Sequence, residues 1–116
     1  GFLQNRNEKV AKYQVENASF LLEQQKLSLT SQLSSLFASY QTNLELVKVE
    51  EKNLEIAKQN LDITLAKFKI GTITTSEFRT AQQNFVEASV RYSNAQYVTK
   101  LSEINLKELA GTLKLN

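Results

Sequence analysis

Punctuation is almost missing from this chain, and that constrains its fold more than any other feature. Between Asn5 and Ile70 there is neither a glycine nor a proline. The whole sequence of 116 residues has no proline, and its glycines are Gly1, Gly71 and Gly111. A domain built of several short elements needs turn formers more often than this. Strands are not expected either, because apolar and polar residues do not alternate along the chain.

Helical spacing persists instead. One apolar stripe runs through Ala11, Val15, Ala18, Leu22, Leu29, Leu33, Leu36, Tyr40, Leu44 and Val47 and resumes at Leu54, Ala57, Leu61, Leu65 and Phe68. Beside it lies a second stripe, Leu46, Val49, Ile56, Ile63 and Ile70. Two stripes on one helix imply neighbours on more than one side, unlike a two-stranded zipper with a single seam. Past Gly71 the pattern restarts with Phe78, Ala81, Phe85, Ala88, Tyr92 and Ala95, and Val98, Leu101, Ile104 and Leu109 prolong it less regularly. Alternating large and small residues let each aromatic ring nest against a facing helix, so core packing is the plain reading of these aromatics.

The break between the helices is signalled from both sides. Gly71 suits the left-handed residue that closes a helix, since it has no Cβ to clash there. Lys67 and Lys69 fall in the last turn, where cations favour the helix dipole. Thr74 with Glu77 has the spacing of a capping box. The sequence therefore predicts an all-α fold: a helix over 5–70, a turn at 71–73, a helix over 74–110 ended by Gly111, and a tail at 111–116. A short glycine-containing link favours a long antiparallel helical hairpin, coiled-coil-like. At 1.5 Å per residue the helices would reach roughly 100 Å and 55 Å, leaving an overhang of about 45 Å. That overhang carries apolar residues from Ala11 to about Leu33, so partners outside the hairpin are expected to cover it. The isolated fragment is expected to self-associate, with antiparallel dimers forming four-helix bundles as the simplest outcome.

Composition removes whole classes of chemistry. Cysteine and histidine are absent, which excludes thiolate chemistry, disulfides, imidazole ligands and the Ser-His-Asp triad. Asp62 is the lone aspartate, and the glutamates are scattered along two rods that offer no concave pocket. No enzyme activity, cofactor or metal is expected. The net charge of +2 is too balanced for a nucleic-acid footprint, and no apolar stretch is long enough to span a bilayer as a helix. The mixed-sign patch Lys48, Glu50, Glu51, Lys52 and Glu55 reads as a solvated face in which Lys48–Glu51 and Lys52–Glu55 pairs offset like-charge neighbours. The opening Gly1-Phe2-Leu3 lacks an initiator methionine and a signal sequence, and the chain reads as a piece of a longer protein.

The second half resembles the C-terminal repeat of the outer-membrane efflux protein family, the TolC-like proteins. The resemblance rests on Lys67-Phe68-Lys69-Ile70-Gly71-Thr72-Ile73-Thr74, on Glu77-Phe78 and Ala81-Gln82, and on Asn94-Ala95-Gln96-Tyr97 through Leu109-Ala110-Gly111-Thr112-Leu113. Residues 6–66 match more loosely, as the long helix before that hairpin. The resemblance implies a fragment of a trimeric α-barrel/β-barrel channel of the outer membrane. This segment would be a periplasmic helical hairpin without direct membrane contact, with the barrel strands and the first repeat absent. It further implies that Ile70, Gly71 and Thr72 form a tip that docks a periplasmic membrane-fusion adaptor, and that Glu77 lines the pore entrance.

Three departures bear on these roles. Phe68 stands where the family usually has tyrosine, which removes a phenol hydrogen bond at the entrance. Thr80 replaces a second acidic residue, and Arg79 replaces a leucine, placing a cation next to Glu77. Glu77 can equally serve only as the capping-box partner of Thr74. The alternative functional reading is a structural coiled coil, or the hairpin of the adaptor itself, mediating protein–protein association.

Overall fold

The computed structural model describes residues 1–115 and contains two helices, α1 (Phe2–Lys69) and α2 (Thr75–Leu115). They fold back on each other as an antiparallel hairpin measuring 104 × 21 × 13 Å. Among the described residues there is no strand, and no helix is long and apolar enough to cross a membrane.

The first helix begins three residues before the expected Asn5 and ends one before Ile70, within the usual fraying of helix boundaries. The second departs further. Gly111 was expected to end it, with a tail over 111–116, yet the helix passes through Gly111 to Leu115. Asn116 lies outside the described residues. The reason is conformational and contextual. Among the described residues only Gly71 has a positive φ, so Gly111 keeps helical geometry. Glycine inside a helix costs about 1 kcal/mol relative to alanine, and the helix continues to a half-buried Leu113, which lines a groove with Leu22 and Leu29 of α1. The overhang therefore ends near Lys26 rather than Leu33. With 68 residues in α1 against 41 in α2, it measures about 40 Å.

The seam keeps a strict heptad. On α2 the inward residues are Phe78, Ala81, Phe85, Ala88, Tyr92, Ala95, Thr99, Ser102, Leu106, Leu109 and Leu113, in alternating steps of three and four. The half-buried residues of α1 follow the same rhythm through Leu36, Tyr40, Asn43, Val47, Glu50, Leu54, Ala57 and Leu61. A period of 3.5 residues holds the same face toward the partner along a supercoiled pair. The only apolar residues below a tenth exposed are Ala81, Ala88 and Ala95 among those described. Small side chains at every second seam position let the two backbones approach closely, while Phe78, Phe85 and Tyr92 fill the intervening layers.

Heptad register, more than hydropathy, decides what faces inward past Ala95. Val98, Leu101 and Ile104 were expected to extend the stripe but lie on the outside, 42–48% exposed. Thr99 and Ser102 take the seam positions instead, opposite Asn43, and Leu44 is displaced to the surface. This polar layer satisfies itself. Thr99 Oγ1 donates to the Ala95 carbonyl at 2.7 Å and lies 3.1 Å from the Asn43 carbonyl. Asn43 Nδ2 donates to Ser102 Oγ at 3.1 Å, and that hydroxyl donates to the Thr99 carbonyl at 2.9 Å. Burying these groups thus leaves no orphaned polar atom among the described residues.

The second apolar stripe of α1 is uncovered. Val49, Ile56 and Ile63 are 54–56% exposed, and Ile70 is 75% exposed. Like the overhang, it is apolar surface that the hairpin does not bury.

Candidate functional site at the hairpin tip

The tip is built by a complete Schellman closure followed by a capping box. Ile70 leaves the helix at φ −91° and ψ 3°, and Gly71 follows at φ +78°. The Thr72 N–H then reaches back to the Lys67 carbonyl at 3.0 Å, and the Gly71 N–H to the Phe68 carbonyl at 3.0 Å. These are the outer and inner bonds of the Schellman motif, which satisfy carbonyls that the ending helix leaves free. Thr72 Oγ1 donates to the same Lys67 carbonyl, also at 3.0 Å. A Cβ added to Gly71 would meet no atom within 4 Å. Glycine is demanded there by its φ, since space is open.

Across the turn, Glu77 N–H donates to Thr74 Oγ1 at 3.1 Å, and Thr74 N–H donates to Glu77 Oε2 at 3.1 Å. Two orphan donors of the new helix are satisfied reciprocally. Beneath the turn, the rings of Phe68 and Phe78 stack with centroids 4.9 Å apart and planes 8° from parallel. The last layer of α1 and the first of α2 are joined by this contact. Sequence reasoning placed both rings in the core but did not pair them; their places as the last seam residue of α1 and the first of α2 were the available signal.

Each residue singled out in the sequence can now be located. Ile70, Gly71 and Thr72 are all exposed and contiguous at the far end of the rod. Glu77 is exposed, with its carboxylate engaged by the Thr74 N–H. Arg79 and Thr80 are exposed one turn further along. No ion pair joins Arg79 to Glu77 among the described residues. The turn therefore brings the three tip residues together, and it brings Glu77 to the capping threonine.

Away from the tip, charge pairing differs from the expected pattern. Lys48 pairs with Glu45 at 3.5 Å, in place of Glu51. Glu50 crosses the seam to Arg91 at 3.2 Å. Glu50 occupies a seam position, which turns its carboxylate toward α2. Glu103 is clasped by Lys107 at 2.8 Å and Lys100 at 3.3 Å. Hydrogen bonds from these two ammonium groups, Lys107 first, hold its carboxyl below the usual carboxylate range. The described residues hold no group of His, Cys, Asp or Glu able to bind a metal ion. Nothing in this arrangement positions a nucleophile or an acid–base pair. What it offers is a stiff, self-capped projection with an apolar point.

Residues 2–112 match the family described as "Outer membrane efflux protein". The chain belongs to that family. Among curated proteins it is similar to the outer membrane protein TolC of Salmonella enteritidis, with 26% identity over 113 residues, covering 97% of this chain and 23% of that one. Outer membrane protein TolC of Escherichia coli (strain K12) matches with the same identity and coverage. This chain thus spans about a quarter of the length of these relatives. No solved structure matches it significantly. The two-helix rod accounts for nearly all of the matched family region, so the family assignment and the fold concern the same residues.

Proposed function

We propose that this chain is a helical hairpin from the second repeat of an outer-membrane channel for efflux or type I secretion. In this reading the hairpin forms part of the periplasmic tunnel wall, and Ile70, Gly71 and Thr72 at its tip dock a membrane-fusion adaptor. Glu77 stands at the entrance side of the same tip. The full-length protein is a trimer in which other helices cover the second stripe of α1 and its overhang. The role is that of a conduit, without catalysis.

One observation carries the reading. The family match covers a rod 104 Å long that is broken, among the described residues, by one glycine-closed turn that leaves Ile70 75% exposed. A rod of this length suits a tunnel wall, and an apolar residue held outward by a rigid turn suits protein docking. The exposed stripe Val49, Ile56 and Ile63 supports lateral neighbours in the same way.

The test is Gly71→Trp in the full-length protein. A bulky residue at φ +78° strains the turn by about 1 kcal/mol or more, and its ring would stand in the docking surface. Export, read as drug susceptibility, should be lost together with crosslinking to the adaptor, while the trimer assembles normally. Normal export and normal crosslinking would show that the turn is only a turn and would favour the structural coiled-coil reading.

A further inference from the structure

Apolar packing along the seam does not by itself fix how far α2 lies along α1. The rings of α2, Phe78, Phe85 and Tyr92, repeat every seven residues, and so do Ala81, Ala88 and Ala95. On α1 the apolar stripe runs on into the overhang through Ala18 and Val15. Sliding α2 one heptad toward the overhang, about 10 Å at 1.5 Å per residue, would again set rings and small residues into layers of the same spacing. Sliding the other way is blocked, because the link between the helices holds only residues 70–74.

Two polar contacts break this degeneracy. Asn43 Nδ2 donates to Ser102 Oγ at 3.1 Å, and Thr99 Oγ1 lies 3.1 Å from the Asn43 carbonyl. Arg91 Nε donates to Glu50 Oε2 at 3.2 Å, and the Glu50 side chain is only 14% exposed. After a slip of one heptad, Asn43 would face Tyr92 and Ala95, while Thr99 and Ser102 would face Leu36. Glu50 would face Phe85 and Ala88, with Arg91 carried about 10 Å away. The two hydroxyls keep bonds to carbonyls of their own helix. The Asn43 amide and the Glu50 carboxylate lose their partners across the seam, and a polar group shielded from water without a partner is costly.

We propose that Asn43 with Thr99 and Ser102, together with Glu50 and Arg91, form a register lock. They select one heptad alignment of α2 on α1, and Asn43 does so about 40 Å from the turn. A polar side chain at a seam position specifies register in coiled coils at some cost in stability. The lock stands apart from the docking reading and holds even when the turn is slack.

The test uses the 116-residue chain at a concentration where circular dichroism shows it fully helical. Nitroxide labels go on Gln32→Cys and Val86→Cys, exposed positions on the two helices. Labelled chain is diluted with unlabelled chain, so that pulsed EPR reads distances within one molecule. Inserting seven glycine and serine residues after Thr72 gives α2 the slack to slip. This lengthened chain should keep the parent's single distance. Adding Asn43→Leu/Glu50→Leu/Thr99→Val/Ser102→Ala should bring in a second distance about 10 Å shorter, with helicity unchanged. Two distances in the lengthened chain with its polar contacts intact would show that they do not hold the register. A single parent distance in the apolar variant would show that the register needs no lock. Either result overturns the proposal.

Discussion

At the scale of single residues, the tip separates two kinds of constraint. Thr74 and Glu77 stabilise the start of α2 through one reciprocal pair of hydrogen bonds. Thr74→Ala should therefore cost about 1 kcal/mol of local stability, measurable as faster amide exchange in the first turn of α2, with export nearly unchanged. Gly71 is required for its backbone conformation, and its neighbour Ile70 for what it presents. Both the turn and the cap were legible in the sequence, because each follows from local chemistry: a glycine after two lysines, and a threonine three residues before a glutamate. Gly111 carried the glycine without the second lysine, and there the signal misled. No residue near Gly111 marks it as helical in the sequence; what lies beyond it is a groove that Leu113 lines with Leu22 and Leu29, residues more than 80 positions away.

At the scale of the helices, the seam is a heptad read through small residues. Ala88 is 1% exposed, the most buried side chain among the described apolar residues. Ala88→Leu would force four carbons' worth of side chain into a layer sized for one, an overpacking worth about 1–3 kcal/mol. It should lower the thermal midpoint of the hairpin, whereas Val90→Leu on the exposed outer face should leave it unchanged. The aromatic–alanine half of the seam was readable from sequence because hydropathy and register coincide there. Past Ala95 they part. Apolar Val98, Leu101 and Ile104 sit outside while Thr99 and Ser102 sit inside, since a helix cannot shift its face without breaking the rhythm set by the first half. The hydroxyls are tolerated because each bonds to a carbonyl within reach. Counting threes and fours strictly, in place of following hydrophobicity, would have found them.

At the scale of the molecule, one fact dominates: a two-helix rod has no enclosed core. Its exposed apolar residues run along both helices, from Val10 and Val15 on the overhang through Ile56 and Ile63 of α1 to Val86 and Val90 of α2. Burial of such residues stabilises by about 25 cal/mol per Å² of apolar area removed from water, so the isolated chain should associate. Sedimentation should show species heavier than the 13.2 kDa monomer, with helicity rising with concentration. A fully helical monomer at low concentration would mean that the stripes need no cover. The sequence announced this need through its second stripe, but it could not show how much of α1 is left bare, because that length depends on where α2 stops.

The central claim is that this hairpin is a tunnel-wall element whose flank is covered and whose tip is free for docking. This segment contains no cysteine, so single cysteines introduced here, in a full-length background with any cysteine outside the segment replaced by serine, report on their own positions. Ile56→Cys and Ile70→Cys, each in the full-length protein in membranes without adaptor, should be probed with a thiol reagent supplied from the periplasmic side. The account predicts rapid labelling at residue 70, protection at residue 56, and loss of labelling at residue 70 once adaptor is added. Equal labelling at both positions, unchanged by the adaptor, would contradict it.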